Sequence, residues 1–333
     1  MKKLKRLVSV AVALAMLLLS CMGVFAASIT TEAPVAAETA ITEGVIDFLR
    51  DAGYERTLNR VKPLWNADRS VAAYYITLNP EGYAIVDTLG GIVEYAAEGD
   101  LELPEEPVYY FGAGAYFIKS GASFRHVFTG YIQSVQEAAA ATQKFVGRCA
   151  AVQAETEQLA STQSARVMVT QAFLPGNTRR YNNTDGTCGS TAAVILLMYY
   201  RDHIDSFMVP SWHDTADGQS LKNLLYSQIE IYNPGCSHDS LIDGLNYYFR
   251  WRGISDEYSA APVSLTWVNL LHYIHTTQRP VLLGIASISH MTVGTGLKIT
   301  DGVQYACVNQ GWGRTTDACY RWSEFDWMAA LNK

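Results

Sequence analysis

From residue 188 onward the chain passes through four helix-length patterns before any strand-length one, and then reads only as strands. Cys188 to about His203, "QSLKNLLYSQIEIY", "DSLIDGLNYYFRWRG" and "SLTWVNLLHYIHTTQRP" space their apolar residues for helices, the last stopping before Pro280. "VLLGIAS", "HMTVGTGLKI", "VQYACVNQ" and "ACYRWS" follow as short β-branched and aromatic runs, with "TDG" turning the chain at residues 300–302. Helices followed by an antiparallel sheet predict an α+β domain of two lobes with a cleft between them.

The first half has a different pattern. "ITEGVIDFLRDAG" sets Ile41, Val45, Phe48 and Leu49 on one helical face and ends at Gly53. "SVAAYYITL", "GYAIVDTL" and "GIVEYAA" are separated by "NPEG" and "GG" and predict an antiparallel meander, to which "VYYFGAGAYFIKSG" adds a hairpin. Residues 132–160, rich in Ala, Gln and Glu, read as one or two exposed helices, and "STQSARV" then loses all pattern. The division expected is therefore a leader at 1–26, a smaller α/β domain at 37–130, a helical connector at 131–167 and the α+β domain at 168–333. A polar connector of this kind is a segment that a protease reaches.

"MKKLKR", the apolar "LVSVAVALAMLLLS" and the small residues "VFAAS" form the pattern of a secretory signal cleaved after Ala26, which predicts an extracytoplasmic protein, secreted or held at the cell surface. Two rival readings of the same segment are a lipoprotein signal with Cys21 lipidated and an uncleaved anchor. No later stretch reaches the ~18 apolar residues that a membrane span needs. The chain carries a net charge of −7, and since Lys2, Lys3, Lys5 and Arg6 all lie in the leader, the remainder stands four lower at −11. That balance argues against nucleic acid or anionic lipid as a partner. Five cysteines follow the leader, so at least one is unpaired within the chain; Cys188 is the candidate, while Cys307 and Cys319 flank one loop and are placed to face each other. The spacings match no zinc pattern, and no metal is expected.

Cys188 stands in "GTCGSTAA" directly before an apolar run. A helix start lowers a thiol pKa and leaves a backbone N–H free to hold an oxyanion, whereas a thiol packed in a helix would do neither. Asp185, Thr187, Ser190 and Thr191 are helix-start residues, and Gly186 and Gly189 let a substrate approach the backbone. Among the histidines, His203 lies roughly 22 Å along the same helix. His126 belongs to the first half, His213 and His238 to loop-like stretches, and His272 and His275 to a helix surface. His290 opens a strand after a buried-looking one, a position from which a ring reaches into a cleft. Asn309 ends the neighbouring strand and is placed to orient the ring, with Trp312 covering the contact.

Cys188 in "GTCGSTAA", His290 in "SHMTVGTG" and Asn309 in "VNQGWG" together resemble the papain-like cysteine peptidases, nearest the streptopain-like and C39-like bacterial groups, over roughly residues 168–333. The resemblance implies a papain-like two-lobed fold, a protein or peptide substrate and no cofactor. Cys188 becomes the nucleophile, His290 the base and acid, and Asn309 the orienting group. That family usually places a glutamine about six residues before the cysteine as second oxyanion donor; Asn182 stands there, with Asn183 beside it. "EGYAIVDTLGGIVEYAAEGD" resembles the strands of the streptopain-like pro-segment, which implies a zymogen cleaved in the connector. Two other readings stand beside this one: a catalytically weak or inactive papain-like domain that binds peptides or cell-surface polymers, and a transglutaminase-like acyl transferase in which Asp301 or Asp317 replaces Asn309.

Overall fold

In the computed structural model of the protein, the described residues are 35–162, 170–183, 186–232, 235–314 and 317–333. The expected leader 1–26 with Cys21, residues 163–167 of the expected connector, and Asp185 lie outside them. The chain divides into two units, Met1–Gly44 and Val45–Lys333. What is described of the first is the beginning of helix α1, Val35–Asp51.

Within the second unit, the meander expected from the first half is present. Strands β1 (Thr57–Trp65), β2 (Val71–Asn79), β3 (Tyr83–Asp87) and β4 (Ile92–Ala96) pair antiparallel in sequence order. Every residue of β3 and β4 is buried, which is why neither alternates apolar with polar residues, the buried carboxylates Asp87 and Glu94 excepted. The expected hairpin follows as β5 (Tyr109–Tyr110) and β6 (Tyr116–Ser120), extended by β7 (Ser123–His126) and β8 (Ile132–Ser134).

Helix α2, Val135–Thr162, starts at a capping box: the Ser134 hydroxyl accepts from the Glu137 N–H, and the Glu137 carboxylate accepts from the Ser134 N–H at 2.8 Å. It is not exposed all round. Ala138, Phe145 and Cys149 form a buried stripe, and Arg148 pairs with the fully buried Glu324 at 3.0 Å.

Short strand β9 (Gln171–Phe173) precedes the helices of the second half. Helix α3, Cys188–His203, is buried at every residue from Gly189 to Tyr200. A helix apolar on all sides belongs in a core, and α4 (Gln219–Ile229) and α5 (His238–Arg252) pack around it. Strand β10 (Ser259–Pro262) follows, then helix α6 (Trp267–Leu271), which runs into a π-helical turn at His272–Thr277 that Gln278 ends in a left-handed conformation. Strands β11 (Val281–Ile285), β12 (His290–Thr300), β13 (Val303–Asn309), β14 (Ala318–Arg321) and β15 (Phe325–Asn332) complete the chain.

The protein is α+β, and the strands of both halves form one sheet in the order β10-β15-β11-β12-β13-β14-β4-β3-β2-β1-β5-β6-β7-β8, with β9 added to β12. All the pairings are antiparallel except that of β1 with β5. The halves join where β14 pairs with β4, Cys319 opposite Tyr95 and Tyr320 opposite Glu94. Beside this seam Arg321 of β14 pairs with Asp87 of β3, both buried. Cys307 and Cys319 face each other across β13 and β14 and are joined by a disulfide, a pairing that the sequence left open.

Candidate active site

Cys188 is the first residue of α3, after Thr187. Asn183, fully buried, prepares that helix start: its Oδ1 accepts from the Thr187 N–H at 2.6 Å and from the Thr187 hydroxyl at 3.2 Å. This leaves the Asn183 amide NH2 buried and without a partner among the described residues, in the wall of the cavity that Cys188 also lines. The preceding segment is held in register by the loop after β13. The Asn183 N–H donates to the Gly311 carbonyl, the Gly313 N–H donates to the Tyr181 carbonyl, and Asn182 bridges Trp312. Gly311 has φ +70°, and a Cβ there would stand 3.0 Å from the Thr191 side chain, so glycine suits both the turn and its approach to α3.

His290 opens β12 and is buried. Its Nε2 lies 2.7 Å from the Gln310 carbonyl oxygen. A carbonyl only accepts, so Nε2 carries the proton and Nδ1 is the basic nitrogen. The ring stacks on Trp312, centroids 5.2 Å apart, and Trp312 stacks in turn on Phe128 of the first half at 4.8 Å. The expected indole cover over His290 is therefore present, with an aromatic from the other half behind it.

Asn309 is placed otherwise. Its NH2 donates to the Thr178 hydroxyl at 2.9 Å and the Arg179 carbonyl at 3.0 Å, while its Oδ1 accepts from the Gly311 N–H. The register explains this. Asn309 lies opposite Val293, three residues from His290, and an odd offset along a strand turns the side chain to the other face. The group that holds the His290 ring is the backbone carbonyl of Gln310. Asp301 sits in the turn at the far end of β12, roughly 35 Å from His290 at strand rise, and Asp317 is bonded to Arg180 and Thr295. Neither aspartate takes the orienting place.

Two further residues belong to the site. A Cβ on Gly189 would stand 2.3 Å from the Cys236 Sγ, so the absence of a side chain at 189 is what admits that second thiol to the start of α3. Glu230, buried, accepts from the Ser190 N–H at 2.8 Å and the Ser190 hydroxyl at 3.0 Å. A hydrogen bond from the Cys236 thiol, then a hydrogen bond and positive charge from His290 and the Met291 N–H, hold the Cys188 thiol well below its usual range against the opposing effect of burial. Cys236 is pushed up by the hydrogen bond it gives Cys188 and by burial, so it is the partner that keeps its proton. Burial, and the charge on Cys188, raise the Glu230 carboxyl. The sequence held no signal for Cys236, since the odd number of thiols asks for one unpaired cysteine and Cys188 already met it. It held none for Glu230 or for the Gln310 carbonyl.

Cys188, His290, Asn183, Gly186 and Cys236 line a cavity of about 640 Å³, a size that takes a small ligand or a few peptide residues. Its opposite wall comes from the first half: Phe117, His126 and Thr129 to Gln133. The loop before His290 is fixed by that half as well, the Ser287 hydroxyl donating to the Ala113 carbonyl and Gly112 standing where a Cβ would be 2.8 Å from the Ser287 side chain. Among the described residues no helix is long and apolar enough to cross a membrane. No protein-family model matches the chain, and no curated protein matches it.

Proposed function

We propose that this protein is an exported cysteine peptidase of papain-like type, held as a zymogen by its own first half. The observation that carries the reading is one constellation: a thiol at a helix start bonded to an imidazole whose other nitrogen is fixed as donor, with an unpartnered amide NH2 in the same cavity wall. The Cys188 thiolate attacks a peptide carbonyl carbon. The oxyanion is received by the Cys188 N–H and by the Asn183 amide, which takes the part expected of Asn182 or Asn183. The protonated His290 Nδ1 then gives its proton to the leaving amine, and water, deprotonated by the same nitrogen, releases the acyl group. The Gln310 carbonyl keeps the ring in the required tautomer. No metal or cofactor takes part.

The first half supports the zymogen reading because residues from Phe117 to Gln133 wall the cavity in which a substrate would lie. One feature favours the alternative of a binding module: the sheet runs unbroken through the β4–β14 seam, and a segment so joined is not easily shed. Intact mass over time under mild reduction tests self-processing, and thiol labelling separates an enzyme from a binding module. Wild type is expected to lose an N-terminal fragment ending between residues 150 and 167, while Cys188→Ala stays whole. Iodoacetamide is expected to label Cys188 fast in wild type and slowly in His290→Ala; equal slow labelling in both would sink the enzyme reading.

A further inference from the structure

The site holds two thiols where the proposed chemistry uses one. Cys188 and Cys236 both line the cavity, both are half-buried rather than sealed, and neither is in a disulfide. The bare Cα of Gly189 brings Cys236 Sγ against the helix start, within hydrogen-bonding reach of Cys188 Sγ. Of the remaining thiols among the described residues, Cys307 and Cys319 are already joined, and Cys149 lies on the buried face of α2, its pKa pushed up chiefly by that burial. A low-pKa thiolate with a resolving thiol beside it is the arrangement of an oxidisable pair.

We propose that Cys188 and Cys236 form a reversible intramolecular disulfide, made by exchange with low-molecular-weight disulfides, that blocks the cavity nucleophile until it is reduced. The Cys188 thiolate attacks one sulfur of RSSR; a bond forms to Cys188, the RS–SR bond breaks, and RS⁻ leaves. That step removes the negative charge and the hydrogen bond that hold Cys236 protonated. Cys236 then gives up its proton and attacks Cys188 Sγ, expelling the second RS⁻. Two cysteines are oxidised by two electrons in all, and RSSR is reduced to two RSH that take up the two protons. The blocking of catalysis rests on the peptidase reading, while formation of the bond does not.

The test treats full-length protein with glutathione disulfide, quenches with iodoacetamide and digests with trypsin without reduction. The expected product links the peptide Tyr181–Arg201 to the peptide Asn223–Arg250, disappears on dithiothreitol treatment, and is accompanied by reversible loss of Cys188 alkylation. In Cys236→Ser, glutathione is expected to remain on Cys188 as a stable adduct. Wild-type peptides recovered separately, each alkylated or each carrying glutathione, would overturn the proposal without recourse to any variant. A linked product from a protein whose reduced Cys188 is alkylated no faster than in His290→Ala removes the peptidase reading and keeps the dithiol; a reduced protein that cleaves peptides and never links does the reverse.

Discussion

Asn182 and Asn183 are neighbours of identical chemistry, yet the fold gives them opposite tasks. Asn182 is exposed, whereas Asn183 is fully buried, with its oxygen engaged by Thr187 and its NH2 left for the cavity. Under the peptidase reading, Asn183→Asp keeps the oxygen that starts α3 and removes the donor, so kcat/KM on a fluorogenic peptide is expected to fall by about 10² to 10³. Asn182→Ala is expected to leave it nearly unchanged, and the melting temperatures of both variants check that α3 still forms. Equal losses at the two positions would refute the assignment. The resemblance to the papain-like peptidases narrowed the donor to this pair, but the sequence had no means of choosing, because the choice depends on which side chain faces the helix start. Asn309 illustrates the same limit: its place at a strand end was legible, its face was not, since a register of one residue turns every side chain over.

Among the elements, the junction of β4 and β14 carries a buried carboxyl. Glu94 accepts from the Tyr83 hydroxyl and the Gly114 N–H, each at 2.9 Å, and from the Tyr116 hydroxyl; burial nonetheless pushes it up to about 7. An unfolded glutamate titrates near 4.5, so between those values the folded chain holds the extra proton and stability falls as pH rises. The largest effect is about 3 kcal/mol. His126, lowered to about 4 mainly by burial, works the other way, losing stability as pH falls below about 6.5. The comparison is therefore between wild type and Glu94→Gln at each pH: the variant is expected to gain on wild type in melting temperature from pH 5 to pH 7.5. A constant difference would mean that Glu94 does not titrate there. Strand β1 escaped the sequence reading because Pro63 and three charged or amide residues obscure its pattern. It meets β5 only at Trp65, so most of it is a sheet edge, where proline costs little. Helix α2 was legible as a helix, but its buried stripe of Ala138, Phe145 and Cys149 was too thin among alanines to mark a docked face.

For the molecule as a whole, the continuous sheet, the buried Arg321–Asp87 pair and the half-buried pair of Arg148, in the connector helix, with Glu324 tie the two halves into one unit from Val45 to Lys333. Calorimetry is expected to show one transition for that unit, with the van't Hoff and calorimetric enthalpies equal. Two resolved transitions would show that the halves fold apart. The sequence alone determined the helices, the first-half meander and strands β11 to β14, the α+β class, the thiol at a helix start and the histidine at a strand start, because these rest on local periodicity and on the chemistry of single residues; β10, which interrupts the run of helices, and β15 were not read. Only the tertiary structure decided that the two halves share a sheet, that Gln310 rather than Asn309 holds the histidine, and that Cys236 stands beside Cys188. Each of those depends on register or on contact between segments far apart in the chain, and no pattern within a single segment encodes where another will lie.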